Sequence, residues 1–196
     1  PDIAKISLGL NTKSATVAAA QKQNTDKMNT VINALKNDFK IKSEDIQTTS
    51  YYINPDYDYN NNQQILKGYT VSQTVEVKIR KLDDVSNILK KVGETGLNQV
   101  GGLNFDFDDV EKIKSEARGK AIANAKEKAE ALADAAGIKF GRIISLNEST
   151  GNGSGPMYYA KEALMGIGGD VAGKAPTIET GSNEIVVNIT LGFEIL

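Results

Sequence analysis

The sequence predicts an α+β fold: an antiparallel sheet with helices packed on one face. A ferredoxin-like β-α-β-β-α-β core is followed by an α-β-β extension. Three observations predict it. Strand–helix–strand periodicity occurs twice, over residues 3–53 and 69–107. A long alanine-rich helix follows at 109–136 and stops at a glycine. Two further alternating strands complete the extension. The 196 residues are read as one domain, with residues 149–181 as a variable loop.

Ala4, Ile6, Leu8 and Leu10 alternate with Lys5, Ser7, Gly9 and Asn11, the period of a half-buried strand. Ser14 is the expected cap of a helix whose apolar residues recur from Val17 through Leu35. A Thr- and Tyr-rich strand spans 45–53. Residues 54–67 are polar and asparagine-rich, the composition of a loop. The cleanest alternation follows, with Tyr69, Val71, Val75, Val77 and Ile79 on one side. Asp83 or Asp84 opens a short helix, Gly93 or Gly96 ends it, and a fourth strand covers 97–107.

Asp109 caps the long helix and Gly137 is its expected left-handed stop. At 100° per residue, Ala117, Ala121, Ala125, Ala129, Leu132 and Ala136 share one face. Small side chains there let a helix lie close on a sheet. Two charges, Arg118 and Lys128, intrude on that face and are the candidate buried charges. In one reading both snorkel from the edge of the packed face; in a second Arg118 is clamped by a carboxylate of the sheet, such as Asp106 or Glu148; a third is a site for a ligand carboxylate. A strand at 140–148 follows. The last strand alternates from Ile185 to Ile195. A short helix is expected at about 157–165 inside the variable loop.

Composition narrows the chemistry. Histidine, cysteine and tryptophan are absent and the net charge is −2. Thiolate and imidazole metal sites, cysteine nucleophiles and serine–histidine triads are thereby excluded. No basic field points to nucleic acid, and no apolar run reaches the ~18–20 residues of a membrane helix. The opening PDIAKIS lacks methionine, so removal of an upstream segment is expected.

Four features are candidate sites. Asp56, Asp58, Asn60 and Asn62 alternate like the start of a calcium loop, but Asn61 and Lys67 stand where glycine and glutamate are needed. A solvated hairpin loop is the better reading. Asp106, Asp108, Asp109 and Glu111 suit a helix N-terminus. The glycine stretches at 151–155 and 166–170 lack the lysine of a phosphate loop. Seven tyrosines, Tyr51, Tyr52, Tyr57, Tyr59, Tyr69, Tyr158 and Tyr159, gather near the expected loops and suit a contact rim. No catalytic residue, metal site or cofactor is assigned.

The order of Glu116-Ala117-Arg118, Ala121, Ala125, Lys128-Ala129, Leu132-Ala133, Gly137, Gly141 and Glu148 resembles the SIMPL-domain family. The stretches 45–59, 68–107 and 182–195 extend the resemblance over nearly the whole chain outside 149–178. The resemblance implies an exported bacterial protein of the periplasm or cell surface with no established activity. Roles in oxidative-stress protection and protein interaction have been proposed for that family. The function expected is therefore non-enzymatic, through self-assembly or partner binding, with a homo-oligomer covering strands that end at open edges. The alternative is a small-molecule or ion-binding module with residues 149–181 as a lid. A carboxylate-dependent hydrolase ranks last.

Overall fold

The alternation from Ile3 to Ser14 forms β1, the central strand in the computed structural model of the chain, which describes residues 1–60, 63–151 and 178–196. After β1 come α1 (Val17–Asn37), β2 (Ile46–Asn60), β3 (Gln63–Ile79), α2 (Val85–Glu94) and β4 (Gln99–Asp106). Further along stand α3 (Val110–Ala136), β5 (Phe140–Gly151) and β6 (Val186–Ile195). The chain divides into two compact units. The first holds Pro1–Asp106; the second begins at Phe107 and includes Gly181–Leu196.

In the first unit the sheet order is β2-β3-β1-β4, with every neighbouring pair antiparallel. That is the ferredoxin-like arrangement of a split β-α-β. Ala4, Ile6 and Leu8 of β1 lie level with Ile79, Val77 and Val75 of β3, and with Leu10 they are essentially inaccessible. Met28, Val31 and Leu35 of α1, with Val85, Ile88 and Val92 of α2, complete the same core. Both helices cover one face, because each presents its apolar residues at helical spacing to a sheet whose inward side chains recur every second residue.

Inside this core two polar residues hydrogen-bond to the backbone. Thr12 donates its hydroxyl to the Ala20 carbonyl at 2.8 Å. Asn24, on the buried face of α1, donates from Nδ2 to the Leu10 carbonyl at 3.1 Å and the Val71 carbonyl at 3.3 Å. One amide thus ties the helix to two adjacent strands. Its Oδ1 is buried and has no hydrogen-bond partner among the described residues. Asp45 is also buried and accepts both arms of Arg80, at 2.9 and 3.0 Å.

Several local expectations need correction. The cap of α1 is Thr16, whose Oγ1 accepts from the Ala19 N–H at 3.3 Å; Ser14 is the last residue of β1. The strand pattern simply runs longer than its apolar alternation. Asp84 occupies the cap position of α2 without a side-chain cap bond, because a 3-10 turn at Leu82–Asp84 leads into that helix. β4 begins at Gln99 and ends at Asp106 rather than spanning 97–107. The largest correction concerns 54–67. Residues 54–60 and 63–67 are strand, because β2 continues to Asn60 and β3 starts at Gln63. Polar composition did not prevent pairing because cross-strand charge pairs hold the arm. Lys67 meets Asp58 at 2.6 Å and Lys13 meets Asp56 at 3.0 Å. The expected helix at 157–165 and the glycine stretch at 166–170 lie outside the described residues.

The second unit is a long helix on a two-stranded antiparallel sheet, β5-β6. Asp109 caps α3 by accepting from the Lys112 N–H at 2.9 Å. Gly137 terminates it with φ 66°, and the Ile138 N–H reaches back to the Ala133 carbonyl at 3.1 Å. A residue with a Cβ would be strained at that φ. The helix packs along β6.

Candidate functional site

The second unit carries both charges that the sequence singled out, and the structure separates them. Arg118, half-buried on α3, makes a two-pronged bond to Glu148 on β5. Its Nε is 2.7 Å from Oε2 and its Nη2 is 2.9 Å from Oε1. Parallel N–H···O bonds of this kind fix geometry as well as charge. The hydrogen bond from Arg118 holds the Glu148 carboxyl below the usual glutamate range, against the opposing effect of burial. Arg118 is raised in turn, first by that hydrogen bond and then by the Glu148 charge.

A pH dependence follows from the depressed carboxyl. The stability contributed by the pair is present above the ordinary glutamate pKa of about 4.3 and lost as pH falls through the lower folded value. Glu148→Gln should flatten that part of the acid-unfolding curve, followed by circular dichroism. Glu148→Arg should destabilise the fold, and the reciprocal Arg118→Glu in the same chain should recover part of the loss. Failure of the double variant to recover anything would deny the pair its role.

Lys128 is exposed, and so is Leu132 at 65%. The buried positions on α3 are Ala129 and Ala133, preceded by half-buried Ala117, Arg118, Ala121 and Ala125. The packed stripe therefore follows the i,i+4 row to Ala133 and leaves Leu132 and Ala136 outside. A row of residues four apart is inclined to the helix axis, so a face drawn on a wheel and the line of contact diverge at its end.

The sheet beneath α3 is open. In β6, Val187, Ile189, Leu191 and Phe193 are half-buried while Val186, Asn188, Thr190 and Glu194 are exposed. β5 lies further from the helix line and keeps Ile144 63% and Leu146 57% exposed. Ile195 and Leu196 are also largely exposed. The Phe140 and Phe193 rings stack at 5.2 Å between these two strands. Among the described residues neither strand has a second neighbour, so both outer edges offer unpaired backbone groups.

The remaining candidates have structural roles. Asp106 pairs with Lys5 at 3.2 Å, Asp109 is the cap of α3, and Glu111 pairs with Lys114 at 2.9 Å. Asp56 and Asp58 sit in a strand, each engaged by a lysine. Among the described residues no three acidic side chains gather as a cation site. Tyr51, Tyr52 and Tyr57 are exposed on β2, an edge strand, and Tyr51 accepts a bond of 3.4 Å from Gln21. Tyr158 and Tyr159 lie outside the described residues. Sequence reasoning missed the projecting β2–β3 arm and the Asn24 bridge. The two aspartate–lysine pairs could have signalled the arm.

Comparison with known proteins matches this sequence to named relatives. The family described as SIMPL, a protein of unknown function (DUF541), matches residues 1–193. The 26 kDa periplasmic immunogenic protein of Brucella melitensis is 33% identical over the whole of this chain, which covers 79% of that protein. The uncharacterized protein YggE of Escherichia coli is 32% identical over 78% of the chain and 61% of its own length. The YggE of Edwardsiella ictaluri is 29% identical over a similar span, 78% of this chain and 64% of that protein. With a family match across almost every residue and a relative one-third identical from end to end, this chain belongs to the SIMPL family.

Proposed function

We propose that this chain is an extracytoplasmic, non-enzymatic bacterial protein that acts by association, with second copies of itself through the α3–β5–β6 unit. One observation carries the reading. A two-stranded sheet is marginal by itself, yet among the described residues neither of its edges has a further strand and several large apolar side chains are exposed. Burying a leucine or isoleucine fully gains about 1.5–3 kcal/mol, so a partner that adds a strand and covers these groups is strongly favoured. The Brucella relative, named as periplasmic, supports the location. Protection of the cell envelope, including under oxidative stress, is the physiological role that fits such an assembly.

Light scattering tests the reading. The chain should sediment and scatter as more than a monomer at micromolar concentration. A double variant, Ile144→Lys with Leu146→Lys, should shift it towards monomer while the circular dichroism of the first unit persists. A monomer at every concentration would overturn the proposal. The lid reading for 149–181 has no comparable support. Residues 149–151 belong to β5, and 152–177 lie outside the described residues.

A further inference from the structure

The face of the first sheet that the helices leave bare has an ordered chemistry. Residues directly across an antiparallel ladder point to the same face. Because Leu8 and Leu10 point into the core, Ser7, Gly9 and Asn11 point out. The register then sets rows across this outer face. Tyr52, Ser72 and Asn11 form one, and Thr74, Gly9 and Gln99 the next. Glu76, Ser7 and Gly101 form a third. Between β3, β1 and β4 the rows drop into a hollow of about 380 Å³.

The hollow exists because two of its positions are glycine. The Gln99 side chain folds over Gly9, with Oε1 2.8 Å from where a Cβ would stand. At Gly101 a Cβ would meet nothing within 4 Å, so the space above it is open. Hydroxyls of Ser7 and Thr74 and the amide of Gln99 line it, and none is committed to a side-chain hydrogen bond with the described residues. Asn98 is committed: its amide accepts from the Asn11 N–H at 2.9 Å and donates to the Asn11 carbonyl at 2.8 Å. That pair extends the β1–β4 ladder past its last backbone pair and makes a rigid wall.

No charged side chain lines the hollow. Glu76 stands beside it, across from Ser7. Lys5 and Lys78 stand a row further on, and Lys5 is bonded to Asp106. Tyr52 is 62% exposed on the same face. It lies two strands from Asn11, roughly 10 Å away at the usual strand spacing.

We propose that this face is a binding site for a neutral oligosaccharide of two or three sugar rings. Sugars combine hydroxyls that need paired donors and acceptors with C–H faces that pack on aromatic rings. The hollow supplies uncommitted hydroxyls and an amide, and Tyr52, on the strand next to Thr74 and on the same face, supplies a ring beside it. Glu76 accepts from vicinal hydroxyls and disfavours anionic ligands such as phosphates, which the uncharged lining would not hold. The lining residues of the site all belong to the first unit.

Titration followed by NMR tests it, with chitotriose and maltotriose as probes, one bearing acetamido groups and one not. At least one should bind with a dissociation constant near 1 mM or tighter, about the level expected of a shallow polar site. Gly101→Val fills the hollow at a position with room for a Cβ and in a strand that favours valine. It should leave the melting temperature unchanged and weaken binding at least about tenfold. Tyr52→Ala should weaken it without shifting the signals of β4, and Tyr57→Ala, on the arm, should not. No binding of either probe at about 10 mM, or binding that Gly101→Val leaves intact, overturns the proposal.

Discussion

Asn24→Asp should destabilise the first unit by about 3–5 kcal/mol at neutral pH, the cost of leaving an uncompensated buried charge. Asn24 is completely buried, and its Nδ2 donates to two main-chain carbonyls, those of Leu10 and Val71. A carboxylate in its place would aim negative charge at both. The folded variant must therefore keep its carboxyl protonated, so its pKa rises above the ordinary aspartate value of about 3.9. The unfolded chain loses its proton first as pH rises. Stability should be greatest below that ordinary value, fall as pH climbs towards the raised folded value, and level off above it. Urea unfolding at pH 3.5 and pH 7 measures the difference. Asn24→Leu removes the amide without adding charge and should cost less, about 1–3 kcal/mol. Equal losses for the two variants, or an aspartate variant indifferent to pH, would show that the bridge is not the buried tie between α1 and the sheet.

Gly68→Ala should cost about 3 kcal/mol, the upper end of what overpacking a closed site costs. Gly68 is buried where the β2–β3 arm leaves the sheet, opposite Asp56 and next to a shift in register. A Cβ there would run into the main-chain carbonyl of Ser14, the last residue of β1. Neither partner is a flexible side chain, so the strain must open the end of β1 or displace the arm. Gly93→Ala is the opposite case. It lies in α2 with nothing within 4 Å of a new Cβ, and should stabilise by about 0.5–1 kcal/mol through reduced freedom of the unfolded chain. Thermal melts of both variants should move in opposite directions. A drop at Gly93 as large as that at Gly68 would mean that loss of glycine, rather than the Ser14 collision, sets the effect.

The two charges on α3 show how far a helical wheel carries. It placed Arg118 and Lys128 at the margin of one face, and Glu148 was one of two partners offered for the arginine. The structure brings Glu148 to Arg118. It leaves Lys128 exposed, because the contact line on β6 runs through Ala129 and Ala133. The arm shows the reverse limit. Asparagine and aspartate between 54 and 62 signal a turn by local preference, yet most of them pair as strand. Pairing across the hairpin, with the Asp58–Lys67 charge pair, outweighs that preference.

By itself the sequence determined the order of strands and helices, the caps at Asp109 and Gly137, the ferredoxin-like core and the family. Each rests on a local signal: a period of two or of 3.6, a side chain within three residues of the N–H it accepts from, a glycine at a left-handed turn. Only the tertiary structure decided that Asn24 bridges two strands, that Glu148 meets Arg118, and that the β5–β6 sheet has no further strand among the described residues and keeps apolar side chains exposed. It alone aligned Tyr52 with Ser72 and Asn11 above a hollow floored by glycine. Those arrangements depend on register and on how closely a helix approaches a sheet. Both are settled by contacts between residues far apart in the chain, where no local period reaches.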